Sequence, residues 1–379
     1  MICINKKSDC CGCGACVQKC PKNCISMKKD VEGFLYPEVD KEACVECGLC
    51  EKVCPVIHKE KMEKTSPKAY AAYAKDTGMR EESSSGGLFT LLAEQTLQKG
   101  GMVFGAAFDG NWQVKHTGVS DTEELALLRG SKYVQSDTKN TFAEAKQALQ
   151  QGREVLFSGT GCQIEGLQRY LGKKYENLIT IDILCHGVPS PDVWEKYLRF
   201  QEKNFGSEAE YVTFRSKRQG WRDFSMEIRF KNGALYSETL AKDLYMQLFL
   251  KNICLRPSCY DCRFKSLNRT SDLTIGDFWG VENVAPAIDD DRGTSLVLVH
   301  SQKGMDMMQA LQKAVAFQEV DAEAALPPSA ESRHSVALHR NRERFFRDLH
   351  HKEIDKLGGL LKDPLKTRVK RKIKNFIKK

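Results

Sequence analysis

The chain has 379 residues, 41% apolar content and a formal charge of +8. That is enough for a small module plus one or two larger cores, with no stretch near the ~18 apolar residues of a membrane span. Sixteen cysteines and an N-terminus, MICINKKSDCC, without an apolar signal segment point to a reducing cytoplasm and metal-bound thiolates. Residues 362–379 carry nine Lys or Arg and one Asp, so the remainder is neutral; this excludes a nucleic-acid binder with its basic patch on the folded body.

Two cysteine runs come first. Cys10, Cys13, Cys16 and Cys20, then Pro21, match Cys44, Cys47, Cys50 and Cys54, then Pro55, as C-x2-C-x2-C-x3-C-P. This spacing ligates [4Fe-4S] clusters in bacterial ferredoxins, the fourth cysteine of each run serving the other cluster. Cys10, Cys13, Cys16 and Cys54 are therefore expected to hold one cluster, and Cys44, Cys47, Cys50 and Cys20 the other. Zinc favours separated cysteine pairs and disulfides need an oxidising compartment, so neither explains two such runs. Cys3, Cys11 and Cys24 fall outside the register and read as packing residues. Gly12, Gly14 and Gly48 let the loops turn around the sulfurs. GFLYPEVD, between the runs, predicts a hairpin arm.

The cluster module spans 1–57, and the polar segment 58–68, with Pro67, reads as a linker. A first part of the core is expected over 69–150. It opens with a strand at 68–75, then ESSSGG and a helix at 88–100. Strands at 102–109 and 113–120 follow, then helices at 121–129 and 138–151. The second part, 151–340, begins with a buried strand in EVLFSGTGC, a helix at 163–171 and the strand LITIDILC. Alternation of strands and helices implies partly parallel pairing. From about 206 the texture changes to alternating strands with a turn at Asn232-Gly233, then a helix at 243–253. Strands DLTIGDFWG and SLVLVH precede a stretch expected to be helical after 303. Residues 341–379 read as a helical basic tail. Leu365, Val369, Ile373, Phe376 and Ile377 recur there at helical spacing among Lys and Arg. Such a helix suits peripheral contact with an anionic membrane, and equally a solvated tail. The fold class is α+β: a small ferredoxin-like two-cluster domain followed by a mixed α/β core.

Several core motifs carry chemistry. Cys254, Cys259 and Cys262 form C-x4-C-x2-C, and Cys185 is the best candidate to complete a third cluster; Cys162 is the other core cysteine. A zinc site or free thiols are the alternatives. Ser84-Ser85-Gly86-Gly87 and Gly159-Thr160-Gly161 each open a helix. Either turn suits a dinucleotide pyrophosphate, or is simply a capped turn. Neither matches GxGxxG or a P-loop. Lys132, Tyr133 and Gln135 in GSKYVQS suit a flavin ring or a plain polar loop. His186 suits a proton donor or a hydrogen-bonded strand end. Asp277 and Trp279 suit a ring anchor or core packing.

Taken in order, SSGGLF (84–89), GSKYVQS (130–136), VLFSGTGCQIEGL (155–167), DILCHGVPSP (182–191), FRSKRQGW (214–221), LRPSCYDCRFK (255–265) and SDLTIGDFWG (271–280) resemble the beta subunit of coenzyme F420 hydrogenase/dehydrogenase. The resemblance covers about 68–300 and implies a mixed α/β core of that type. It implies an oxidoreductase holding FAD and iron–sulfur clusters, in which a flavin exchanges hydride with a partner molecule such as the deazaflavin F420. It supports the third cluster on Cys185, Cys254, Cys259 and Cys262. It also makes Ser84, Ser85, Gly86, Gly87, Lys132, Gln135, Gly159, Thr160, Cys162 and Gln163 flavin-site candidates, with His186 and Lys132 as catalytic candidates. The chain departs from the family's usual Gly-Thr-Pro-Cys-Gln by carrying Gly161 in place of the proline, which loosens the turn before Cys162. An electron donor or acceptor protein is the expected partner. The alternative is an electron-transfer subunit with no substrate of its own.

Overall fold

A computed structural model describes residues 1–58 and 66–362. The proposed membrane-contacting segment of the tail lies outside the described residues. Among those described, no helix is long and apolar enough to cross a membrane.

The N-terminal part repeats one device. Each cysteine run bends into a short helix, Ala15–Lys19 in the first and Leu49–Lys52 in the second. The residue before each helix is a left-handed glycine, Gly14 at φ 75° and Gly48 at φ 71°. A side chain in that region is strained, so glycine is what lets both loops fold back over their own sulfurs. Between the runs, β1 (Ile25–Lys29) and β2 (Leu35–Val39) form the expected antiparallel hairpin. Its turn is fixed by Asp30, whose carboxylate accepts the Glu32 and Phe34 amides.

The core strands are β3 (Lys68–Ala74), β4 (Met102–Phe108), β5 (Val114–Val119), β6 (Val155–Thr160), β7 (Leu178–Ile183), β8 (Ala209–Ser216), β9 (Ser225–Phe230), β10 (Leu235–Thr239), β11 (Leu273–Asp277), β12 (Ser295–Val299) and β13 (Val315–Val320). Eight of them build one mixed sheet in the order β13-β3-β12-β11-β7-β6-β4-β5. Pairing is parallel from β4 through β6 and β7 to β11, and antiparallel outside that centre. Every residue of β12 is buried, and β6 and β7 are buried through most of their length. This is the continuous apolar pattern of strands covered on both faces. The segments β8, β9 and β10 form a separate antiparallel meander. Its turn uses Gly233 at φ 83°.

Two elements depart from the expectation. Pro191–Phe205 is a helix of 15 residues for which the sequence reading names no element. Ser190 caps it through the Val193 amide, proline stands in its first turn, and Gly206 ends it at φ 65°. Trp194 and Tyr197 on this helix pack with Phe214 and Tyr245 in a fully buried aromatic cluster. β13 lies within the stretch expected to be helical. It is an edge strand held by its ladder to β3, with only Val315 fully buried.

The cysteine module docks on the sheet. Cys11, Cys13, Ala15, Val53 and Val56 share one apolar cluster with Phe104, Phe142, Phe157, Ile164 and Leu167. Gly166 makes the close approach possible: a Cβ there would stand 3.0 Å from the Cys13 sulfur. Module and core are therefore packed as one body of apolar side chains, which positions the cysteine loops over the C-terminal ends of β6 and β7.

Candidate functional site

The thiols gather in three hollows. Cys10, Cys13, Cys16 and Cys54 line one, together with Cys11. Cys20, Cys44, Cys47 and Cys50 line another, together with Cys24. These are the crossed sets that ferredoxin spacing requires. Cys24 lies 3.3 Å from Cys20, sulfur to sulfur, and is buried. Burial, then the charges of Cys10 and Cys54, pushes the Cys16 thiol up to about 12. The thiolate, not the thiol, is the metal ligand, so a metal bound here would have to offset that burial.

The third hollow differs from the expected set. Cys162, Cys185, Cys259 and Cys262 line it, again with Cys11. Burial raises the Cys185 thiol, and the next causes are Cys259, Cys162 and Cys262. Cys254 is not among them. It is fully buried in the apolar cluster with Tyr245, Met246 and Leu255, and no other cysteine acts on it. The reason is local. Cys254 ends the turn after the helix Leu244–Leu250 and packs into that cluster, while Cys259 lies on the 3-10 turn Pro257–Asp261, which borders the hollow. Cys162, at the start of the helix Gly161–Leu171, stands where the fourth thiol was expected. Among the described residues, no three His, Cys, Asp or Glu side chains close around a single metal ion.

Beside this hollow lies a cavity of about 920 Å³. Cys11, Thr160, Cys162, Cys185, Gly187 and Val188 line both. Ser84, Ser85, Gly87, Lys132, Gln135, Gly159, Gln163 and His186 line the cavity as well. Of the candidates, Gly86 alone does not. Its missing side chain serves the sheet, since a Cβ there would stand 2.5 Å from the Ala72 carbonyl oxygen.

The two glycine turns are unequal. Thr160 and Gln163 cap the helix Gly161–Leu171 themselves in a reciprocal box. Gly87, left-handed at φ 86°, offers the helix Leu88–Gln98 no side-chain cap, so its first amides stay open. Ser84 Oγ accepts the Ser131 amide, and Ser85 Oγ donates to the Thr294 carbonyl. Gln135 is a tie between module and core: Nε2 donates to the Cys11 carbonyl and Oε1 accepts from Arg256.

Lys132 donates to the Leu127 and Arg129 carbonyls, and burial lowers its ammonium to about 7. It stands on the cavity wall, half-buried as a whole residue. His186 is fixed at both nitrogens, by Asn252 at 2.6 Å and Glu331 at 2.8 Å, and burial lowers it.

Three cavity residues went unread in the sequence. Arg215 pairs with Asp277 and donates to Tyr133. His116 lies buried on β5, and Thr90 on the helix after Gly87. Arg215 sits inside the motif FRSKRQGW, which was the available signal. Trp279, by contrast, is half-exposed and stacks on Trp221 at 4.8 Å and 6°. Asp277 accepts the Trp221 indole N–H. Four buried polar atoms on lining residues have no partner: Thr90 Oγ1, His116 Nδ1, Arg129 Nε and Arg215 Nε. A cavity of this size with open amides and unpaired polar atoms fits a large polar cofactor such as FAD.

Comparisons with known proteins match three stretches of the chain. The family model for the C terminus of the coenzyme F420 hydrogenase/dehydrogenase beta subunit matches residues 152–324, and its N-terminal counterpart matches 69–142. A 4Fe-4S dicluster domain matches 9–57. One subunit of the F(420)H(2) dehydrogenase of Methanosarcina mazei is 24% identical over 188 residues, 46% of this chain and 53% of that protein. A ferredoxin of Saccharopolyspora erythraea is 40% identical over 63 residues, 16% of this chain and 52% of its own length. The chain thus spans about half the length of these curated relatives. A chain of the xenon-derivatised F420-reducing [NiFe] hydrogenase complex from Methanosarcina barkeri superposes with a TM-score of 0.47 at 17% identity, covering 79% of this chain and 93% of that one.

Proposed function

Since this chain belongs to the family of coenzyme F420 hydrogenase/dehydrogenase beta subunits and carries a 4Fe-4S dicluster domain in front, we propose that it is an iron–sulfur flavoprotein oxidoreductase exchanging two electrons with a small-molecule or deazaflavin partner. The observation that carries this is the shared wall: the cavity and the four-thiol hollow have Cys162 and Cys185 in common. In this reading a flavin site adjoins a cluster site. FAD, when bound, exchanges single electrons with iron–sulfur centres and electron pairs with a hydride partner.

The chain's own residues have distinct tasks in this reading. Cys162, Cys185, Cys259 and Cys262 hold the third cluster. The open amides after Gly87 receive the pyrophosphate. Arg215, locked by Asp277, brings a fixed positive charge to the cavity wall. Lys132, lowered to about 7, can hold or release a proton at neutral pH. His186 is oriented by Asn252 and Glu331 to do the same near Cys185. Cys47 is exposed in the second cysteine loop, which suits an electron-donor or acceptor protein docking there. Thiolate-held clusters suit a reducing cytoplasm.

The test is iron and flavin content of the anaerobically purified chain. About twelve iron atoms and one FAD per chain are expected. About eight iron atoms without flavin would sink the flavoenzyme reading and leave an electron carrier.

A further inference from the structure

Arg256 is fully buried, and all three of its hydrogen bonds go to neutral oxygens. Nε donates to the Cys10 carbonyl at 2.8 Å, Nη1 to Gln135 Oε1 at 2.9 Å, and Nη2 to the Leu35 carbonyl at 2.9 Å. The guanidinium also lies over the Tyr36 ring at 4.2 Å and the Phe34 ring at 5.5 Å. Other buried arginines here behave differently. Arg215 pairs with Asp277, Arg269 with Asp182, and Arg342 with Glu32. Arg256 has no such carboxylate among its bonds.

A guanidinium stays charged in a protein, and an uncompensated buried charge is strongly destabilising. Cation–π contact with two rings offsets only part of that cost. After burial, the largest influence on the guanidinium is the charge of Cys10, ahead of Tyr36, Cys11 and Cys259, and Cys10 is also the residue whose carbonyl its Nε holds. The first cysteine loop is shaped around it. Gly12 stands at φ 74°, and a Cβ there would be 3.0 Å from Arg256 Cζ and 2.5 Å from Gln135 Nε2. The loop carrying Cys10 and Cys13 thus packs directly against the guanidinium.

We propose that Arg256, reaching out of the core, is the countercharge of the cluster site formed by Cys10, Cys13, Cys16 and Cys54, and that it raises the reduction potential there. It is a positioning residue that acts by charge. A cubane on four thiolates is anionic and gains a further negative charge on reduction. A fixed cation beside it favours the reduced form, so removing that cation moves the potential downward. The inference rests on the dicluster part of the functional reading and is independent of the flavin.

The experiment compares Arg256→Gln and Arg256→Lys in the full chain, purified anaerobically. Iron per chain is measured first, then the cluster potentials by EPR-monitored redox titration. Wild-type iron content judges the cluster reading by itself. With iron present, R256Q is expected to shift one cluster to lower potential while R256K stays near the wild type. Loss of that cluster in R256Q with retention in R256K at wild-type potential also supports charge as the requirement. Three results overturn the proposal: an unshifted R256Q, an equal shift in both variants, or loss of iron from both.

Discussion

Arg215 and Asp277 meet as a bidentate ion pair on the cavity wall, Nη1 to Oδ2 at 2.6 Å and Nη2 to Oδ1 at 2.8 Å. Arg215 also donates to the Ser84 carbonyl, so the pair ties β8 and β11 to the serine–glycine turn. The arginine is almost wholly buried, with its side chain 2% exposed, so deleting its partner strands the charge. Asp277→Ala is expected to destabilise the protein by about 3–5 kcal/mol and to lower flavin retention. Urea denaturation of flavin-free protein reads the first effect, and bound flavin per chain the second. Unchanged stability would show that Arg215 finds another counterion.

Much of this arrangement was legible from residue spacing, and the failures have physical causes. The crossed ferredoxin sets were readable because a cubane fixes both the gaps and the proline that follows. Central strands such as β12 were readable because burial on both faces leaves a continuous apolar run. The helix Pro191–Phe205 also had its signals, Ser190-Pro191 before it and Gly206 after it, with Val193, Trp194, Tyr197 and Leu198 buried at helical spacing. β13 had none: it is held by main-chain pairing to β3, which no side-chain period reports. The cysteines that line the third hollow differ from the expected set at one position, Cys162 standing there and Cys254 not. Linear proximity groups Cys254 with Cys259 and Cys262, whereas the direction of each sulfur depends on the turn at Pro257.

Cysteine variants separate the two candidate ligand sets in the core. Cys254→Ala is expected to keep full iron content and to cost about 1 kcal/mol of packing. Cys162→Ala is expected to lose one cluster, about four iron atoms per chain. Iron assay and EPR of the reduced proteins distinguish them. Full iron in C162A together with loss in C254A would restore the set that spacing alone suggests. Cys24→Ala, next to Cys20 but outside the crossed set, is expected to retain both ferredoxin-type clusters.

Burial of His116 predicts acid sensitivity. Burial lowers its pKa to about 4, and nearby Lys132 adds to this; its contact with the Ser158 carbonyl and the charge of Asp137 oppose it. The folded state therefore binds this proton less readily than the unfolded chain does. Stability from the neutral ring is present above the unfolded pKa of about 6.5 and is lost as pH falls toward about 4. Between pH 7 and pH 5 the loss from this one group is about 2 kcal/mol. His116→Gln should flatten the pH dependence of the urea midpoint across that window. A variant with the wild-type slope would place the acid sensitivity elsewhere, with His300 the next candidate, since burial lowers it to about 4 as well.

Lys132 sets stability against function. Its ammonium is held by the Leu127 and Arg129 carbonyls, without a carboxylate in those bonds, and burial lowers it to about 7. The folded protein thus disfavours the charged form that the unfolded chain holds until about pH 10. Lysine costs stability below that value, and the cost grows as pH falls toward 7. Lys132→Met keeps the length of the side chain and removes the charge. It is expected to raise the stability of flavin-free protein at pH 7 by about 1–2 kcal/mol, since an apolar isostere replaces a poorly compensated ion. The same change is expected to lower the potential of bound flavin, because a positive group beside the ring stabilises charge on its reduced form. Thermal denaturation and a flavin redox titration measure the two effects on one preparation. A gain in stability with an unchanged flavin potential would remove Lys132 from the flavin site, whereas a loss of stability would mean that its two hydrogen bonds outweigh its buried charge.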